Sequence, residues 1–260
     1  MNKLDEIVAH KRVEVAEQKR QRPLVQLERA LKERPPVRDF AQAILRPGKL
    51  GLIAEVKRAS PSAGSIRPKA DAVEVAKIYH RAGAQALSVL TDTQFFSGSL
   101  KDLTGVREEV PLPVLRKDFL LEEYQILEAA AAGADAVLLI AAILDRPALK
   151  RLLALTADLG LEALVEVHAE PELAQALEAG ARILGINNRN LATLEVDLKT
   201  TERLIRRLPK EGKVIVSESG IRSRSDVEFL ERLGVHAVLI GEELMASPDI
   251  AKRIQELMGW

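Results

Sequence analysis

The chain has 260 residues, of which 47% are hydrophobic, 29% charged and 3% aromatic. Its 38 basic residues balance 38 acidic ones, which excludes a general attraction to nucleic acid, and so few aromatics leave little to stack on bases. There is no cysteine, which excludes disulfides, thiol catalysis and cysteine-ligated metal.

The N-terminal stretch MNKLDEIVAHKRVEVAEQKRQRP is charged throughout and lacks the apolar segment of a secretory signal. No stretch of the sequence is long and apolar enough to suggest a membrane span. The expectation is a soluble, cytoplasmic protein that meets neither membrane nor nucleic acid. Residues 1–45 read as helical in two runs, LDEIVAHKRVEVAEQKR and LVQLERALKER, broken at Pro23 and at Pro35-Pro36.

From Leu50 onward, short apolar runs alternate with longer amphipathic ones. The apolar runs occupy 50–57, 86–91, 113–119, 135–141, 161–168, 182–189, 213–220 and 236–242. Gly83, Gly133, Gly180 and Gly234 each close a helical run just before the next strand, where a left-handed cap is expected. Strands separated by helices predict a parallel sheet with crossover connections. Eight such units predict a (β/α)8 TIM barrel. The rival is a doubly wound open sheet, but no G-x-G-x-x-G follows the first strand. The reading is one α/β domain over 1–260, a (β/α)8 barrel with an N-terminal helical extension over 1–45.

In such a barrel, chemistry sits at the C-terminal ends of the strands. The first strand ends in Glu55 and Lys57, two apart and so on one face. The third ends in Lys117 with Phe119 two further on, the fifth in Glu166, and the sixth in Asn187 and Arg189. The seventh ends in Glu218, Ser219 and Gly220, and the eighth in Gly241 and Glu242. For any one of these charges, a structural ion pair fits as well as a catalytic group. Asn187 also reads as a turn cap, and Ser219-Gly220 as a plain turn. Together, two lysines, at least two glutamates, an asparagine and an arginine converge on one end. His168 reads as a loop or surface histidine. His10, His80 and His236 have no ligand partners at sensible spacing, so no metal is assigned.

The stretches SESGIRSRSD and IGEELM place a glycine where a helix begins, after strands seven and eight, the usual phosphate position in barrels. Glu242 and Glu243 would repel a phosphate and are expected to point away from it.

The runs AEVKRASPSAG, LTDTQFFSGS, PVLRKDF, LVEVH, GINNRNL, SESGI and IGEELM, in this order, resemble the indole-3-glycerol phosphate synthase family over essentially the whole chain. That resemblance implies conversion of 1-(2-carboxyphenylamino)-1-deoxyribulose 5-phosphate to indole-3-glycerol phosphate, CO2 and water, by a monomer that needs no cofactor or metal. It implies that Lys117 is the general acid toward the ketone and that Glu166 is an acid/base group. It places Lys57 near the substrate carboxylate and as a proton donor in dehydration. Glu55 and Asn187 orient the network, and Ser219 and Arg189 contact the substrate. Gly220, Gly241 and the backbone of Glu242 form a phosphate cradle with Ser60 nearby, and Phe96, Phe119, Leu90 and Leu138 contact the anthranilate ring.

Two positions depart from the family pattern. Ala63 stands where many members have lysine, and Glu242 where some have a hydroxyl residue. Two lysines and two glutamates in one mouth are expected to balance the acid's pKa, a lysine lowering it and a glutamate raising it. A related sugar-phosphate barrel such as phosphoribosylanthranilate isomerase, or a non-catalytic phosphate-binding barrel, shares the phosphate loops but not the acid/base set. Whether the extension is a lid or only packs against the barrel stays open.

Overall fold

Three helices precede any strand in the computed structural model, which describes residues 2–209 and 212–260. They are α1 (Lys3–Gln21), α2 (Leu24–Glu33) and α3 (Phe40–Ile44). Pro23 is the N-cap just before α2, where its missing N–H costs no helical hydrogen bond, and the helix stops before Pro35-Pro36.

Eight strands follow: β1 (Gly51–Val56), β2 (Ala86–Leu90), β3 (Val114–Lys117), β4 (Ala136–Ile140), β5 (Glu162–Val167), β6 (Ile183–Asn187), β7 (Val214–Glu218) and β8 (Ala237–Ile240). Each pairs in parallel with two neighbours, and β1 pairs with both β2 and β8, so the sheet closes on itself. The predicted TIM barrel is the observed fold. Strands covered on both faces must be apolar throughout, which is why the runs show little alternation. Each strand ends one or two residues inside its predicted run. Residues beyond β1, expected as plain loop, form a two-residue antiparallel hairpin pairing Ala59–Ser60 with Gly64–Ser65.

The remaining helices are α4 (Ala72–Arg81), α5 (Thr93–Phe96), α6 (Leu100–Glu109), α7 (Glu123–Ala131), α8 (Arg146–Asp158), α9 (Glu170–Glu178), α10 (Lys199–Ile205), α11 (Arg224–Leu233), α12 (Glu242–Ala246) and α13 (Ile250–Met258). Side chains of Asp71, Ser99, Asp145, Ser223 and Asp249 accept from the first-turn N–H groups of α4, α6, α8, α11 and α13. The four glycines expected as caps all have positive φ.

The extension runs the height of the barrel. At the base, Phe40 and Ile44 of α3 are fully buried and pack with the inward side chains of the strands. A Cβ on Gly51 would lie 2.3 Å from the Ile44 carbonyl, so the start of β1 needs glycine. On the flank, Val15 and Leu27 close over Tyr124 of α7. At the mouth, Leu4 and Ile7 of α1 join a cluster with Phe95, Phe96 and Phe119. The extension is thus wall and brace at once.

Candidate active site

Four polar groups of the mouth each stand two residues beyond a side chain that fills the barrel. Ile53 precedes Glu55, Leu115 precedes Lys117, Leu164 precedes Glu166, and Val216 precedes Glu218. The two-residue period of a strand carries the apolar inward face straight into the polar one.

The centre is Lys117. Its Nζ lies 3.0 Å from Glu166 Oε2 and 3.5 Å from Glu218 Oε2, and its side chain is 15% exposed. The Asn187 amide donates to Glu166 Oε1 at 3.0 Å, and the Arg189 N–H donates to Asn187 Oδ1 at 2.9 Å. Across the mouth Lys57 Nζ lies 3.1 Å from Glu55 Oε1, while the Ser88 hydroxyl donates to Glu55 Oε2. The structure thus brings Glu55, Lys57, Lys117, Glu166 and Asn187 together. Arg189 and Ser219 line the same cavity.

The expected balance of charges shifts, because three carboxylates face Lys117. Burial alone would lower its pKa, but attraction from Glu166, Glu218 and Glu55 together outweighs burial and raises it well above the usual lysine range. The opposite holds for Glu218. Burial, with Glu166 and Glu55 adding, pushes its carboxyl up to about 8 against the pull of Lys117. The mouth therefore holds a firmly charged lysine beside a carboxyl that binds its proton more tightly than an ordinary carboxyl does.

The same cavity has an apolar side. Phe96 and Phe119 stand 6.0 Å apart between ring centres, tilted by 40°, and Leu90 and Leu138 complete the slot with Leu4 and Ile7 of α1. Ser60 also lines it, its hydroxyl tied to Ser62 Oγ and to the N–H of Ala63. Beside this slot is a smaller hollow lined by Ser219, Gly220, Gly241 and Glu242. Among the described residues, the backbone N–H groups of these four donate to no protein acceptor. Both glutamates, expected to point away, line the hollow: Glu243 is paired with Arg253, and Glu242 Oε2 lies 3.5 Å from Arg189 Nη2. An arginine within reach offsets each carboxylate without moving it.

Three features escape the sequence pattern. Glu218 stands at a strand end with no role assigned to it, although alternation from Val216 already turns it inward. Gly185 and Gly241 carry a packing duty, since a Cβ on either would lie 2.0 Å from Glu218 Oε1 or 2.5 Å from Glu55 Oε1. The wall from α1 leaves no signal, because Leu4 and Ile7 read only as one face of a helix. His168, expected as a loop histidine, braces the site from behind, its Nδ1 2.8 Å from the Asn187 carbonyl.

A model of the family described as indole-3-glycerol phosphate synthase matches residues 4–257. A relative of that name from Roseiflexus castenholzii is 48% identical over 263 residues, covering 98% of this chain and 98% of its own. Another, from Caldanaerobacter subterraneus subsp. tengcongensis, is 50% identical over 255 residues, covering 98% and 97%. Among solved structures, 3-hexulose-6-phosphate synthase from Salmonella typhimurium superposes with a TM-score of 0.65 at 15% identity, over 81% of this chain and 97% of that one. At that identity the likeness is one of fold alone.

Proposed function

The chain belongs to the indole-3-glycerol phosphate synthase family, and on that premise we propose that its barrel mouth performs the ring closure with Lys117 as the acid. The enzyme is a carboxy-lyase of tryptophan biosynthesis. It turns 1-(2-carboxyphenylamino)-1-deoxyribulose 5-phosphate into indole-3-glycerol phosphate, CO2 and water. The observation that carries the residue assignment is Lys117, a charged amine fixed by two carboxylates between an apolar slot and a hollow of free N–H groups.

The benzene ring takes the Phe96–Phe119 slot and the phosphate takes the hollow of Ser219, Gly220, Gly241 and Glu242. Held at both ends, the ring carbon that bears the carboxylate lies against the ketone. As it attacks, the ketone oxygen gains negative charge, and Lys117 gives it a proton. An alkoxide is a stronger base than a lysine amine, so the raised pKa does not block the transfer. The carboxylate, met by Lys57, then leaves as CO2, and the electrons of the broken C–C bond restore the aromatic ring. Dehydration follows: Lys57 protonates the leaving hydroxyl, and Glu166 takes the proton from the neighbouring carbon. Glu55 and Asn187 hold these groups in register, and Arg189 contacts the substrate.

The same reading makes residues 1–260 one unit, a cytoplasmic monomer acting on a phosphorylated small molecule. Among the described residues, no helix is long and apolar enough to cross a membrane. The test is direct. The aminodeoxyribulose phosphate is supplied, and indole fluorescence and released CO2 are followed together. Equal yields are expected. Absence of indole product from the wild type overturns the reading. Lys117→Ala is expected to lower kcat by at least about 10²-fold with the circular dichroism spectrum retained, and wild-type turnover there removes the acid assignment.

A further inference from the structure

Asn188 follows Asn187 at the end of β6 but turns away from the mouth, and it is fully buried. Its Nδ2 donates to Ser217 Oγ at 2.9 Å and to the carbonyls of Glu218 at 3.0 Å and Ser219 at 3.1 Å. Its Oδ1 accepts from the N–H of Thr201 at 3.2 Å and from the Thr201 hydroxyl at 2.8 Å. Carbonyls on one side and an N–H on the other allow the amide only one orientation. Its own N–H donates again to the Glu218 carbonyl at 2.9 Å. One buried side chain thus holds three successive residues at the end of β7.

Those residues need holding. Ser219 has φ 67°, the left-handed region that a side chain disfavours, and Gly220 follows at 81°. Two left-handed residues in a row turn the chain so that Ser219 and Gly220 line the hollow beside Gly241. The residue just before them, Glu218, carries the carboxylate that faces Lys117.

We propose that Asn188 is a positioning residue for this enzyme, whose amide holds Ser219 in its left-handed conformation and so shapes the phosphate hollow. The proposal rests on the reading of that hollow as the phosphate site. A strained backbone at a functional site persists only where its surroundings over-determine it, and the amide is what does so here. Without its amide, Ser219 relaxes toward ordinary φ and its N–H leaves the hollow. Glycine reaches positive φ unaided, so the Ser219→Gly variant has little need of the amide.

The test is a double-mutant cycle of Asn188→Ala and Ser219→Gly, read as substrate KM and as the Kd of inorganic phosphate by calorimetry. Asn188→Ala is expected to raise both by about tenfold when Ser219 is present, and by no more than about twofold in the Ser219→Gly background. An equal factor in both backgrounds, or no change, overturns the proposal. Thr201→Val is the milder variant if Asn188→Ala fails to fold. It removes the hydroxyl that anchors Asn188 Oδ1 and is expected to raise KM and phosphate Kd by about threefold, and unchanged values there overturn the proposal as well. A wild type that binds phosphate but makes no indole product overturns the functional reading and leaves the phosphate arm to decide on Asn188.

Discussion

The carboxylate of Glu218 occupies the space that a side chain on Gly185 would need, with a Cβ there falling 2.0 Å from Oε1. The two residues sit on adjacent strands, where β6 pairs Gly185 with Val216 and Asn187 with Glu218. Glycine at 185 is therefore part of how the barrel admits a third carboxylate. Gly185→Ala is expected to displace that carboxylate from Lys117 and to lower kcat/KM by about tenfold or more, with a stability loss of about 1–3 kcal/mol from overpacking. Steady-state kinetics and urea unfolding check both, and full activity in this variant would mean the Glu218 position is not used.

A carboxyl held near pH 8 in the fold and at 4.5 when unfolded makes stability depend on pH. Between those values the unfolded chain releases the proton while the native one keeps it. The contribution to stability is thus greatest below about 4.5, falls as pH rises, and levels off above about 8. Glu218→Gln has no proton to lose. Its stability relative to wild type is expected to rise between pH 5 and pH 8 by a few kcal/mol, on the order of 1.4 kcal/mol per pKa unit. Urea unfolding of both proteins across that range measures it, and a constant difference would refute the raised pKa.

Most of the barrel and its mouth were legible because both rest on short-range pattern. Apolar runs separated by amphipathic ones announce the eight units, and the period of two carries Ile53 to Glu55 and Leu115 to Lys117. What stayed hidden depends on register between distant strands. Neither the fit of Glu218 over Gly185 nor the closeness of Glu55 to Gly241 appears until β6 meets β7 and β8 meets β1. Lys11 is the sharpest case. In LDEIVAHKRVEVAEQKR it looks like one more surface charge, yet it is 1% exposed because Asp92 and Asp118 arrive from the ends of β2 and β3.

That lysine bears on a third prediction. Lys11 Nζ lies 2.8 Å from Asp92, 2.9 Å from Asp118 and 2.9 Å from Glu14, and the Asp92 side chain also caps α5, which carries Phe96. Lys11→Met leaves buried Asp92 without its cation and Asp118 with Arg116 alone, and that is expected to cost about 3–5 kcal/mol. The apolar slot loosens with it, so KM is expected to rise more than kcat falls. Lys3→Ala, which breaks an exposed pair with Glu6, is the control and is expected to cost less than about 1 kcal/mol. Equal losses in the two variants would show that α1 is not anchored through Lys11.

Glu242 gives the last expectation. Its carboxylate lies at the edge of the hollow proposed for phosphate, 3.5 Å from Arg189 and with its side chain 36% exposed. In the resting protein Arg189 offsets that charge, so the guanidinium is already engaged before substrate arrives. Glu242→Ser removes the repulsion toward phosphate and releases Arg189, while the backbone N–H that would bind phosphate remains. At such a partly exposed site, charge interactions of about 1 kcal/mol translate into a KM several-fold lower, with kcat nearly unchanged. The gap between the two proteins is expected to narrow as salt is raised, since screening weakens the repulsion that the mutation removes. Kinetics at two ionic strengths decide the matter. A higher KM in the serine variant would mean that Glu242 orients Arg189 for the substrate and does not oppose it.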